Sequence, residues 1–299
     1  MKNPANLTLL LLALLALACN LPLSVTATPG PSLPPVTPLT HLPVTVTPLP
    51  GPTPTVEPTP SPGAPTSAPE SDEWVTVGEG LERRTAHMEA LAAEAPTSVE
   101  LVRIDPAYFV FRVHYEPTRD ATISQWQART GAAVIVNGGF FDPATRRTIA
   151  LVVSDGERSG SSYVGQGGML SVVGDDVDIR ALVQYPYQAG EPLDQAVQGF
   201  PMLIYPGGRP VPFAASSDVA RRTAIGKDDE GRIVIAVVDQ PVVDLYSWRD
   251  WLSMTLGLDV ALNLDGGSST GLAMLAWGST LLIETDGPIP AVITVYPRS

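Results

Sequence analysis

The sequence predicts an α+β domain, a mixed β-sheet core covered by a few helices, preceded by a segment that does not fold. Three observations carry that expectation. Composition turns globular at about residue 72, beyond which all five tryptophans lie. From there on, short apolar runs rich in Val and Ile recur between Gly, Pro and Asp, the pattern of strands joined by turns. Only two stretches show helical spacing, and each stands just before a strand that ends in a glycine cluster.

Taken in order, the expected strands are residues 99–104, 109–115, 132–136, 150–153, 169–173, 177–182, 201–205, 222–225, 233–238, 260–264 and 291–296. The first expected helix, 123–129, has Thr122 as its cap. The second, 243–256, sets Val243, Leu245, Trp248, Leu252 and Leu256 at roughly helical intervals. Residues 72–299 are enough chain to bury one sizeable core, so a single domain is expected. Helix-then-strand order places a ligand site at strand ends, by analogy with parallel α/β sheets.

The chain ahead of the domain reads differently. Lys2 is followed by an apolar run over residues 7–18, too short to span a bilayer as a helix and suited to a signal peptide, assigned here to residues 1–18. The run ends in Ala16-Leu17-Ala18-Cys19, which resembles a bacterial lipobox, with Cys19 as the lipidated residue. Cys19 is the only cysteine, so no intramolecular disulfide can form. Residues 22–70 hold 16 of the 31 prolines and no Lys or Arg. Such a segment builds no core, and in polyproline geometry it reaches on the order of 100 Å, so residues 19–71 read as a disordered Pro/Thr-rich stalk. The expected location is the outer face of the cell membrane, held by the lipid alone, or secretion if Cys19 is not modified.

Charge narrows the partners. With 31 acidic against 18 basic residues the chain lacks the basic patch of a nucleic-acid binder. Arginines gathered in a pocket remain able to hold one small anion.

Two clusters carry the chemistry. Val134-Ile135-Val136 runs into Asn137-Gly138-Gly139-Phe140-Phe141-Asp142, and Val260-Ala261-Leu262 runs into Asn263-Leu264-Asp265-Gly266-Gly267-Ser268-Ser269-Thr270. Glycines let a ligand approach the backbone, and Ser, Thr and free amides supply donors around a carboxylate. Either cluster alone reads as an ordinary turn, but two of one design in one domain point to a site. Glycosidic hydrolysis commonly uses paired carboxyl groups, and Asp142 with Asp265 forms the natural pair. Where the leaving group is a phosphate monoester it departs as a stable anion, so a cation on the phosphate matters more than a general acid. Arg221 and Arg222 enter one strand with opposite side-chain directions, so one of them is expected in the pocket.

Other chemistries are less well supplied. Gly267-Ser268-Ser269-Thr270-Gly271 matches the Gly-x-Ser-x-Gly elbow with Ser269 as nucleophile. That reading needs a histidine, and the candidates are His41 in the stalk, His87 and His114, all upstream of the serine. Zinc ligands are not spaced for a site, and no Walker or Rossmann loop is present. No cofactor is expected. A calcium ion on Asp175, Asp176 and Asp178 is the remaining metal reading, against a solvated hairpin turn.

Six segments, in this order, resemble the phosphodiester glycosidase family: Gly80-Leu81-Glu82-Arg83-Arg84, Arg103-Ile104-Asp105-Pro106, residues 137–142, Gln198-Gly199-Phe200-Pro201-Met202-Leu203, residues 222–226 and residues 263–270. The chain departs from the family pattern at Phe200, where Gly is common, and by going directly from Gly267 to Ser268. The resemblance implies hydrolysis of a sugar joined through its anomeric oxygen to a phosphodiester. It implies site residues at Asn137, Gly138, Gly139, Asp142, Arg222, Asn263, Asp265, Gly266, Gly267, Ser268 and Ser269. Combining both lines, Arg222 is expected to hold the phosphate, Asp265 to act as nucleophile or base, and Asp142 to assist. The remaining residues would orient a cell-envelope or extracellular glycan phosphodiester. The competing expectation is a noncatalytic lipoprotein that binds a glycan or sugar phosphate.

Overall fold

The structure, a computed structural model, describes residues 72–298 except 91, 215 and 216. The expected signal peptide, Cys19 and stalk lie outside the described residues. Within them the fold is dominated by sheet: eighteen strands, two short α-helices, and single π and 3-10 turns.

The strands form three sheets. The largest runs β1 (Val75–Gly78), β2 (Leu81–Met88), β3 (Thr97–Ile104), β14 (Ile233–Val243), β13 (Ala220–Lys227), β15 (Val260–Asn263), β11 (Met202–Tyr205), β12 (Arg209–Pro210). A second runs β7 (Glu157–Ser159), β6 (Val152–Ser154), β10 (Gln195–Gly199), β8 (Gly168–Val173), β9 (Asp176–Ala181). The third runs β17 (Ser279–Ile283), β16 (Leu272–Ala276), β5 (Val134–Asn137), β18 (Ala291–Pro297), β4 (Phe109–Tyr115).

One face of every sheet enters a common core. Ile225, Ile235 and Leu262 come from the first, Leu170 and Val197 from the second, Phe111, Val134 and Ile293 from the third. Alternation along the strands sends the intervening residues to outer faces. Ala224, Ala236 and Ala261 pack beneath α2 (Leu245–Trp251) with Trp248 and Leu252. Ile135, Ala273 and Val292 pack beneath α1 (Ile123–Thr130) with Ile123 and Trp126.

Both helices form where local chemistry asks for them. Thr122 and Gln125 make a capping box on α1, and Gly131 closes it in the left-handed conformation at φ 65°. Asp244 caps α2, its carboxylate accepting from the amides of Tyr246 and Ser247.

The expected mixed sheet is corrected, since every ladder between these strands is antiparallel. The physical reason is insertion. β4 and β5 flank α1 and run parallel, but β18 lies between them and is antiparallel to both. β14 and β15 flank α2 in the same relation, with β13 between them. Each helix therefore crosses over one intervening strand, a split βαβ unit. The second helix is also shorter than expected. Val243 ends β14, Asp244 starts α2, and residues Leu252–Leu256 continue as a π turn.

All eleven expected strands are present, with seven more. β16 reads Leu-Ala-Met-Leu-Ala, a helix-prone composition that pairing on both sides overrides. β2 reads Leu-Glu-Arg-Arg-Thr-Ala-His-Met and is held by cross-strand partners such as Arg83 with Glu100 and Arg103 with Glu82.

Candidate active site

β5 and β15 deliver the two clusters to one place. The Asp265 amide donates to the Gly138 carbonyl at 3.2 Å, and Asn137 Nδ2 donates to the Asp265 carbonyl at 2.8 Å. Close main-chain approach holds the junction together. A Cβ on Gly139 would overlap the Gln198 carbonyl oxygen, and one on Gly199 would overlap that of Asn263. Only glycine admits such contacts, so the ends of β5, β10 and β15 converge there.

Asn137 is the knot of the junction. It is 1% exposed, and its amide donates to the carbonyls of Gly138 and Asp265 while Oδ1 accepts from Thr223 Oγ1 at 2.8 Å and the Gly271 amide at 3.1 Å. Asn263 is also buried, but only its Nδ2 is engaged, donating to the carbonyls of Phe200 and Leu264. Its Oδ1 is buried with no hydrogen-bond partner.

Asp265 stands at the edge of this junction, partly buried. Burial pushes its carboxyl up to about 6, and hydrogen bonds from the Ser269 hydroxyl and the Gly266 amide oppose that shift. The Gly266 amide lies 2.9 Å from Oδ1. A carboxyl poised near neutrality at a strand end is equipped for proton transfer or attack.

Other expected site residues fall in different positions. Asp142 is exposed, and its carboxylate accepts from the amides of Ala144 and Thr145 at 2.9 and 2.8 Å. The Thr145 bonds, foremost among its contacts, hold it below the usual carboxylate range. It closes the turn after the first cluster, and no hydrogen bond joins it to Asp265 among the described residues. The Gly138 amide donates to Ala291 O and the Gly266 amide to Asp265, so these two glycines shape the site while their amides are internally engaged. Ser268 is exposed, and its carbonyl accepts from the Asp286 amide at 2.9 Å.

Strand alternation separates the two arginines. Thr223, bonded to Asn137, shares the face of Ile225 in the common core, whereas Arg222 shares the face of Ala224 under α2. Arg222 donates to the carbonyls of Val243 and Asp218, at 2.8 and 2.6 Å, and burial lowers its pKa. Arg221 is the arginine on the cluster side. Its carbonyl oxygen lies beside Gly266, and its guanidinium pairs with Asp239 and Asp286 and bonds the Glu284 carbonyl. Arg222, expected to hold the phosphate, is thus bonded to carbonyls, and Arg221 is the arginine braced against the 266–268 segment.

The serine-hydrolase geometry is not assembled. The Ser269 hydroxyl is engaged with Asp265, and His114 Nε2 lies 3.3 Å from Tyr296 Oη, its ring against Trp126. Among the described residues no group of three or more His, Cys, Asp or Glu is placed to hold a metal ion. Asp175 and Asp176 form the β8–β9 hairpin turn and start of β9, Asp175 pairs with Arg298, and Asp178 pairs with Lys227.

Two residues with no role assigned from the sequence belong to the site. Gln198, fully buried, bonds the Tyr163 amide through Oε1 at 2.9 Å and Ser162 Oγ through Nε2 at 2.7 Å. Tyr163 is half-buried, and its hydroxyl pKa is raised by burial first and by the charge of Asp265 second. The signal was the Gly-rich run 160–167 around Tyr163, which reads as a loop without indicating what it covers. A cavity of about 420 Å³ lies elsewhere. Asp178, Arg180, Lys227 and Asp259 line it near the start of β15, at the opposite end of that strand from Asp265.

A family model described as phosphodiester glycosidase matches residues 130–296. Bovine N-acetylglucosamine-1-phosphodiester alpha-N-acetylglucosaminidase is 27% identical over 175 residues, which is 50% of this chain and 33% of the bovine protein. The chain thus matches about a third of that relative's length. Among solved structures, the zebrafish N-acetylglucosamine-1-phosphodiester alpha-N-acetylglucosaminidase catalytic domain, auto-inhibited by its pro-peptide, superposes with a TM-score of 0.59 at 17% identity, covering 76% of this chain and 87% of that one. A hypothetical protein from Synechocystis superposes at 0.54 with 18% identity, covering 76% and 64%. These two likenesses concern the fold.

Proposed function

The chain belongs to the phosphodiester glycosidase family, and from that premise we propose that it hydrolyses a glycosyl-1-phosphodiester of a cell-envelope or extracellular glycan, with Asp265 as the reacting carboxylate. The observation that carries this reading is Asp265 itself, a carboxyl raised to about 6 by burial at the junction of the two glycine clusters. Above that pH the group is a carboxylate able to attack the anomeric carbon or to take a proton from water. The bond that breaks joins the anomeric carbon to the phosphate oxygen. Water supplies the hydroxyl of the free sugar, and the phosphate leaves as a monoester. As a stable anion it needs little protonation, which fits a site with one strongly perturbed carboxyl.

The supporting residues take roles that follow from their contacts. Asn137 fixes Asp265 through its main chain, Ser269 holds the carboxylate, and Arg221 steadies the 266–268 segment through Asp286. Ser268 faces solvent and is assigned to the phosphate. Asp142 keeps the loop after the first cluster closed, and Arg222 belongs to the packing under α2. We further propose export, with Cys19 lipidated and residues 19–71 as a stalk that carries the domain away from the membrane.

The test is release of sugar and phosphomonoester from a panel of glycosyl-1-phosphodiesters by the full chain. Turnover is expected, and Asp265→Asn is expected to lower it by about 10²–10⁴-fold. Equal turnover in the variant removes Asp265 from the chemistry. Failure across the panel, with sugar phosphate still bound, moves the reading to a glycan-binding lipoprotein.

A further inference from the structure

Tyr163 lies near enough to Asp265 to feel its charge, and the Phe200 ring packs against Tyr163. Tyr163 and Phe200 have ring centroids 6.2 Å apart and planes inclined at 55°. Phe200 is 42% exposed although it follows a fully buried strand, and Tyr163 is half-buried. A single exposed phenylalanine needs no explanation, but this one is half of an aromatic pair set at a polar junction.

The main chain of both residues is anchored by buried side-chain amides of the site junction. Asn263 Nδ2 donates to the Phe200 carbonyl at 2.9 Å, and Gln198 Oε1 accepts from the Tyr163 amide at 2.9 Å. Gln198 stands one residue before the end of β10 and Asn263 ends β15, the strands that converge at the Asp265 junction, so both residues are tied to its frame. Gly167 tightens this arrangement, since a Cβ there would lie 2.6 Å from the Gly199 carbonyl and 3.1 Å from the Tyr163 ring. The charge of Asp265 also reaches the Tyr163 hydroxyl, after burial the second cause of its raised pKa.

We propose that Tyr163 and Phe200 form the sugar-binding wall of the Asp265 site, taking the apolar face of a pyranose ring. A pyranose presents a patch of C–H groups on one face, and an aromatic ring matches it by burying that patch while the hydroxyls stay in water or find polar partners. The proposal rests on the functional reading above and deepens it: the sugar is recognised by the rings, the phosphate by polar groups of the 266–269 segment.

The experiment measures binding on the full-length Asp265→Asn chain, with methyl pyranosides of both anomers as one probe set and glycerol 3-phosphate as the other. Phe200→Ala and Tyr163→Ala, each added to it, are expected to weaken methyl pyranoside binding by about tenfold. Glycerol 3-phosphate binding is expected to stay within about twofold, and Tyr163→Phe, which keeps the ring, to recover most of the sugar affinity. Pyranoside binding unchanged by loss of either ring overturns the proposal. So does equal loss of both probes, which would mean collapse of the junction, and so does absence of any pyranoside binding before the rings are altered. The functional reading fails separately: sugar binding that depends on the rings, with no turnover by the unaltered chain, keeps the wall and removes the hydrolase.

Discussion

The two split βαβ units reach the same point by the same route and do different work there. In each, a strand, a capped helix and a second strand lead to an asparagine followed by paired glycines, and in each the second strand lies one place removed from the first. At the end of β5, Asn137 uses both amide groups in four hydrogen bonds and ties three segments together. At the end of β15, Asn263 leaves its acceptor without a partner, and two residues on lies a carboxyl raised by burial. One cluster is saturated and holds geometry; the other keeps unsatisfied polarity, which is where reactivity is stored.

Deleting each asparagine amide separates the two clusters by the largest expected difference. Asn137→Ala strands the Thr223 hydroxyl, the Gly271 amide and the Asp265 carbonyl in the interior, and is expected to destabilise by about 3–5 kcal/mol. Asn263→Ala removes two bonds to carbonyls but also an unpartnered acceptor, and is expected to lose only about 1–2 kcal/mol. Denaturant unfolding of both variants checks this. Equal losses would mean that the two clusters share the structural load.

The sequence was informative about this site in proportion to how local the determinants are. Apolar runs marked β5 and β15, and the residues Asn, Gly, Asp and Ser after them stood in plain view. Thr122 as a cap was legible because capping acts over one helical turn. What stayed hidden depended on partners far along the chain. Arg221 and Arg222 could be assigned to faces only once Thr223 was seen to meet Asn137. The bonds that Asp142 accepts from the turn amides of Ala144 and Thr145 could not be read from its position in the first cluster. Tyr163 and Gln198 are 102 and 67 residues from Asp265 and met it only through the convergence of β10 with β15. The strand order across each helix was not legible, since β18 and β13 are inserted between the flanking strands and β18 comes from the far C-terminus.

A second prediction concerns the strain of keeping Asp265 buried. Its folded pKa, about 6, lies above the value of about 3.9 in an unfolded chain, so the folded state holds the proton more tightly. The stability this confers is complete below pH about 4 and is lost as pH rises through about 6. Asp265→Asn removes the ionisation while keeping an oxygen for the Gly266 amide. It is therefore expected to raise stability at pH 7 by about 1–3 kcal/mol, and to leave it nearly unchanged at pH 4. Thermal unfolding at both pH values measures the difference. A variant destabilised at pH 7 would place Asp265 with Asn137, as a holder of geometry.

The smallest effect separates the carboxylate from the serine beside it. The Ser269 hydroxyl donates to Asp265 and so holds its pKa below the value that burial alone would impose. Removing that donor by Ser269→Ala raises the pKa further, because only the ionised carboxylate gains from the bond. If the carboxylate is the reacting form, kcat/KM of the unaltered chain rises with pH through about 6. In Ser269→Ala the midpoint of that rise is expected to move upward by about 0.5–1 pH unit, with the plateau lowered less than about tenfold. A nucleophilic serine gives the opposite result, a plateau lowered by orders of magnitude at every pH, because no shift in protonation can restore a missing nucleophile. The direction of the midpoint thus reads the role of the hydroxyl directly: an upward shift makes Ser269 the residue that tunes Asp265, and through it the second cluster is reactive where the first is only rigid.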